Sequence, residues 1–161
     1  MGNPKGRAWF RKQKFRRING LVFRFLKRSE AKMTPEERIE MIEESIQFCI
    51  RTTGVDGGPT ANGRELLATC LEDADRWVEA RVLREEVLSA RRRNLGDEER
   101  FTLSAELYLA INLSHFGLNA DALPLALHAR DGFRLLDVSE MADLAGEWVN
   151  FINSSAGMEA D

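Results

Sequence analysis

From Phe101 to Asp137 the apolar residues fall into two stripes of helical period. Leu103, Leu107, Ala110, Leu113 and Phe116 recur at gaps of four, three, three and three, which lines one face of an α-helix. Gly117 follows, suited to the positive φ of a helix end. Asn119 is placed to cap a second helix, whose Ala122, Leu125 or Ala126, Ala129, Phe133 and Leu136 make the second stripe. The expected unit is a helical hairpin. Pro124 removes a backbone donor about one turn into the second helix, which predicts a late start or a slight kink.

The same patterning extends on both sides. Thr34, Pro35 and Glu37 compose a capping box with proline at the first helical position, opening a helix striped by Ile39, Ile42, Ile46 and Ile50, joined by Met41 and Phe48, that ends before Gly54. Gly54 to Pro59 reads as a loop. Thr60 is the expected cap of the next helix, which carries Leu66, Leu67, Ala68, Cys70 and Leu71 and gives out around Asp73 to Asp75. From Trp77 a further stripe runs through Ala80, Leu83, Val87 and Ala90 and closes on Arg91, Arg92 and Arg93, a triplet that reads as a solvated helix end suited to the helix dipole. Ser139 is expected to cap a last helix to about Asn153, bearing Leu144, Ala145, Trp148 and Phe151, with residues 154–161 a frayed tail. The fold class is all-α, with six helices in residues 33–153 and a seventh if residues 1–32 add one.

Shifting the chain by 42 residues superposes Gly54 on Gly96, Thr60 on Thr102, Leu67-Ala68 on Leu109-Ala110, Leu71 on Leu113, Ala80 on Ala122 and Leu83 on Leu125. The last helix fits at a shift of 35, Leu144, Ala145, Trp148 and Phe151 answering Leu109, Ala110, Leu113 and Phe116. With the Thr102-Leu103 opening, the repeated Leu-Ala pairs and the loop Leu95-Gly96-Asp97, residues 35–153 resemble tetratricopeptide repeats of the 42-residue variety found in kinesin light chains. The resemblance implies a right-handed superhelical array of antiparallel helix pairs that binds a protein or peptide without catalysis. It also implies a concave groove lined by the first helix of each unit: Asn62, Glu65, Leu66 and Thr69, then Ser104, Tyr108, Ile111 and His115, then Asp143. Tyr108, the chain's single tyrosine, is the expected anchor, although a core tyrosine bonded to a neighbouring helix explains it equally well. Members that clamp an acidic peptide terminus carry asparagine just before the Leu-Ala pair, where this chain has Leu66, Tyr108 and Asp143, so that binding mode is not expected. Asp75 stands where the first unit would have its turn glycine, which a left-handed aspartate tolerates.

Charge adds an arm to this picture. The net charge of -3 hides ten Lys or Arg and no acid in residues 1–28, against thirteen basic and twenty-six acidic residues in 29–161. Arg7, Arg11, Lys12, Lys14, Arg16 and Arg17 are interleaved with Trp9 and Phe10. Three readings stay open for residues 1–32. They are a contact for nucleic acid or an anionic membrane surface, a terminal helix packed on the array, or an upstream extension with Met33 starting the folded unit. The acidic body favours a basic partner, and homodimers through the repeat ends or through exchange of arms are a further expectation.

Candidate chemistry changes little. His115 and His128 lie thirteen apart with no metal-ligand spacing, Ser114 beside His115 cannot form a triad from adjacency, and the acidic pairs read as solvated faces. No catalytic residue, cofactor or metal is expected. Cys49 and Cys70 lack a CxxC companion, so neither a disulfide framework nor a zinc site is indicated. No apolar run reaches the roughly 18 to 20 residues of a membrane span, no secretory signal is read, and a reducing, cytoplasmic setting is expected.

Overall fold

The computed structural model describes residues 33–158. The basic arm, with every expectation placed on it, lies outside them. Six helices follow one another: α1 (Pro35–Thr53), α2 (Gly58–Asp73), α3 (Trp77–Leu95), α4 (Arg100–His115), α5 (Asn119–Leu135) and α6 (Ser139–Met158). No strand occurs among the described residues.

The helix ends explain the connections. At α1 the Thr34 side chain accepts from the Glu37 amide at 3.2 Å while the Glu37 carboxylate accepts from the Thr34 amide at 2.7 Å, a reciprocal capping box. Three tight turns share one geometry. Asp75, Gly117 and Asp137 sit at positive φ (64°, 72° and 54°), and each next residue returns its amide to a carbonyl five positions back: Arg76 to Leu71, Leu118 to Leu113 and Val138 to Phe133. This Schellman closure consumes carbonyls that the helix end would otherwise leave unpaired. The two longer loops, after α1 and α3, leave through Gly54 (φ 88°, ψ 165°) and Gly96 (φ 90°, ψ 169°). Gly54 and Asp75 thus recur at Gly96 and Gly117, and the 42-residue period is a property of the backbone as well as of the side chains.

Several sequence expectations change. Thr60 does not cap α2; the helix opens at Gly58 with Pro59 in its first turn, and Thr60, fully buried, donates instead to the Gly54 carbonyl at 2.8 Å and ties the loop down. Asn119 is the first residue of α5 and lies buried, because the Schellman turn leads straight into the helix through Leu118. The helix starts there and runs through Pro124, so there is no late start. Ser139 likewise opens α6, whose first bonds go to the Val138 carbonyl, and the helix continues to Met158, past the expected end. Phe48, Phe116, Leu136 and Phe151, all assigned to apolar stripes, are exposed.

Packing is sequential, each helix lying against the next. One core joins Ile39, Ile42 and Ile46 of α1 to Leu67, Ala68 and Leu71 of α2 and Ala80 of α3. A second runs from Val87 and Leu88 of α3 through α4 and α5 to Val149 and Ile152 of α6, and a third holds Leu103, Leu107 and Ile111 against Ala129, Phe133 and Ala145. Glycine permits two close crossings: a Cβ on Gly63 would meet Ile46 at 2.8 Å, and one on Gly132 would meet Leu103 at 2.6 Å. Among the described residues, α4 and α6 are the only helices beyond the sequential pairs to bring Cα atoms within 8 Å of each other. The even-numbered helices are therefore the inner side of the array over this half. Between α2 and α4 the backbones stay further apart, and side chains fill the space.

Candidate functional site

What fills the space between α2 and α4 is charge. Arg84 and Arg91, two turns apart on α3, are buried at 2% and 5% exposure. Arg84 donates from Nε and Nη2 to the two oxygens of Glu72, at 3.1 and 2.9 Å, and from Nη2 to the Thr69 hydroxyl at 3.3 Å. Its guanidinium lies 5.0 Å from the Tyr108 ring centroid. Arg91 repeats the arrangement one rung up, donating to Glu65 at 2.6 Å and to Asn62 Oδ1 at 3.1 Å, with its guanidinium 5.2 Å from the Phe101 ring. Each rung takes a carboxylate from α2, an arginine from α3 and an aromatic ring from α4. All three partners step by seven residues, the spacing that returns a helix to the same face after two turns.

Below the rungs, Asn112 of α4 donates to Glu72 Oε1 and to the Trp77 carbonyl, both at 3.3 Å. The Trp77 ring stacks on His115, centroids 3.8 Å apart and planes 9° from parallel. The electrostatics follow from this enclosure. Burial works against charge on Arg84, yet its acidic neighbours, Glu72 first and then Glu65, together outweigh it and hold the guanidinium pKa above its ordinary value. Tyr108 is pushed up to about 12, first by burial and then by the charge of Glu65.

The expected groove residues are thus distributed in three ways. Asn62, Glu65, Thr69 and Tyr108 belong to the rungs, with Glu65 itself buried. Leu66 and Ser104 are half-buried beside them, Ser104 donating to the Arg100 carbonyl at 2.9 Å. Ile111 is buried in the third core, His115 is exposed on its Trp77 stack, and Asp143 is exposed on α6 away from the rungs.

The arginine triplet is a solvated helix end only in part, since Arg92 and Arg93 are exposed and Arg91 is not. Arg91 is buried, Arg93 pairs with Asp56 at 2.8 Å, and Arg92 donates to Glu106 at 2.7 Å. Glu106, 1% exposed, also holds His128 Nδ1 at 2.6 Å, while Glu98 lies 3.5 Å from the other ring nitrogen. The hydrogen bond to Glu106 raises the His128 pKa above its usual value. Arg84, Arg91, Glu72 and Glu106 escaped the sequence reading because charged residues on a helix are usually solvated. The shared spacing of Glu65 and Glu72, Arg84 and Arg91, and Phe101 and Tyr108 was the available signal.

No protein-family model matches this chain, and no curated protein matches it.

Proposed function

We propose that the chain is a tetratricopeptide-like adaptor, a right-handed array of helix pairs that binds a peptide or protein segment on the inner face of α2, α4 and α6 and performs no catalysis. The observation that carries this reading is the rung at Tyr108. A half-buried aromatic ring on the inner layer is fixed from behind by a buried arginine that is itself held by Glu72. An anchor fixed before the partner arrives loses little freedom on binding, which is what a recognition surface needs. The repeat assignment draws its support from the 42-residue recurrence of backbone conformation at Gly54 and Gly96 and at Asp75 and Gly117. Among the described residues no helix is long and apolar enough to cross a membrane. The free thiols of Cys49 and Cys70 suit a reducing compartment such as the cytoplasm.

The test is a peptide-display selection against the full chain, followed by affinity measurement on Tyr108→Ala, Leu66→Ala and Asp143→Asn. Loss of about tenfold or more at Tyr108→Ala, in the range of an interface hot spot, is the expected result. Selected peptides that bind all three variants as tightly as the wild type would place recognition elsewhere and overturn the proposal.

A further inference from the structure

The chain enters the fold at a particular edge. Alternating helices run antiparallel, so α1, α3 and α5 begin on the edge where α2, α4 and α6 end. α1 packs against α2 and begins where α2 ends, so the first described residue, Met33, lies beside this edge. Asp73 stands there at the end of α2, exposed, and the C-terminal ends of the inner helices add their partial negative charge.

The inner helices are themselves acidic. Together α2, α4 and α6 hold seven carboxylates and two arginines, and α6 has no cation at all. Glu65 and Glu72 are answered from α3, and Glu106 by Arg92 and His128. Asp143 and Glu147 are exposed on α6 and enter no ion pair among the described residues. Half-buried Leu66, Tyr108, Leu144 and Trp148 add apolar and aromatic surface on the same three helices.

The complement to that surface is in the same chain. All five lysines (Lys5, Lys12, Lys14, Lys27 and Lys32) fall in residues 1–32, and the stretch from Arg7 to Arg17 joins six cations to Trp9, Phe10 and Phe15 without one acid. Reach is no obstacle: the fifteen residues from Ile18 to Lys32 extend to roughly 50 Å, more than the roughly 30 Å length of a helix the size of α6.

We propose that residues 7–17 of the chain occupy the inner face of α2, α4 and α6, so that the ligand chemistry of this groove is a basic, aromatic-bearing segment and the chain carries one copy of it. This rests on the adaptor reading and deepens it, since a partner of the same chemistry then binds by displacing the arm. A tethered segment has an effective concentration of order millimolar, so weak contacts suffice, and because they are charged they yield to salt.

The lysine distribution supplies the experiment. A carbodiimide joins a lysine amine to a carboxylate it already touches, and with no lysine in residues 33–161 every lysine product within one chain maps a contact of the arm. Full-length protein, mixed from 14N and 15N preparations to separate products within a chain from those between chains, is cross-linked at about 0.05 M and about 1 M salt and mapped by mass spectrometry. The expected products join Lys12 or Lys14 to Asp73, Asp143 or Glu147 within one chain, falling about tenfold at the higher salt. In Asp143→Asn/Glu147→Gln, two exposed positions, the α6 products disappear while those to Asp73 persist. Products confined to α1 or to outer-face acids such as Glu85, products only between chains, or no arm-to-body product would each overturn the proposal. Display-selected peptides that need Tyr108 while the arm gives no such product would leave the adaptor reading standing alone. Arm products without any groove-dependent peptide, even for Lys12→Glu/Lys14→Glu, would sink the adaptor reading instead.

Discussion

Arg84 stacks its guanidinium 5.0 Å from the ring centroid of Tyr108 while donating twice to Glu72, so one side chain of α3 is held between α2 and α4. Removing it strands a carboxylate that is nearly as buried as the arginine. Arg84→Met should therefore cost about 3 to 5 kcal/mol in urea unfolding, whereas Arg84→Met combined with Glu72→Met should recover most of that loss, because apolar pairs of similar volume replace buried ion pairs at little cost. If the double variant is as unstable as the single one, Glu72 does not depend on Arg84.

The single tyrosine makes the burial of this rung visible in absorbance. With its pKa pushed up to about 12 by burial, native Tyr108 should show little phenolate absorbance at pH 10 to 11, at most about a tenth of the full signal, where the unfolded chain, titrating near 10, is largely ionised. The sign of the linkage follows. The unfolded state loses its proton first, so stability falls as pH climbs from about 10 towards 12. A native midpoint near 10 would mean that the ring is solvated.

His128 links α5 to Glu106 and is raised by that hydrogen bond. A raised histidine contributes its stabilisation in full below the unfolded value of about 6.5 and loses it as pH rises through the folded value. Arg92, Glu98 and Asp131 also face this ring or its carboxylate, and all three stay in place in the variant. The stability advantage of wild type over His128→Gln should be largest near pH 6 and fade on the alkaline side. An advantage that stays flat with pH would show that the imidazole packs without carrying charge.

Three helical glycines should answer differently to one methyl group. Gly132→Ala drives a Cβ to 2.6 Å from Leu103 and Gly63→Ala to 2.8 Å from Ile46, so each should cost about 1 to 3 kcal/mol by overpacking. Gly146→Ala meets nothing nearer than Arg130 Cδ at 4.0 Å and should stabilise α6 by about 0.5 to 1 kcal/mol, the helix penalty of glycine. Thermal unfolding of the three variants side by side decides it. Equal losses would contradict the crossings at Gly63 and Gly132.

Local rules carried the helices. The capping box at Thr34, the stripes through Leu103 and Leu107 and the left-handed turn at Gly117 depend on residues within a few positions of each other, and all three appear in the structure. Thr60 and Asn119 misled because a good capping side chain is only an opportunity. Gly57 opens α2 earlier, and the Schellman closure at Leu118 leaves Asn119 no cap to make. The rungs were hidden for a different reason. Whether Arg84 is solvated or buried depends on Glu72, twelve residues upstream, and on Tyr108, twenty-four downstream, meeting across three helices. No window of helical periodicity contains that meeting.

The backbone repeats every 42 residues, yet the rungs do not. At that shift Arg84 and Arg91 become Ala126 and Phe133, Glu65 and Glu72 become Leu107 and Ser114, and Phe101 and Tyr108 answer Pro59 and Leu66. The first unit alone bears the acid and arginine halves of the seam, and the second alone bears the rings that close it. Two units alike enough to trade places by shape are therefore keyed to one order by their side chains. A duplicated first unit inserted after Leu95 would find its loop geometry already provided, yet the arginines of the unit ahead of it would face Pro59 and Leu66 of the copy where the rings should stand.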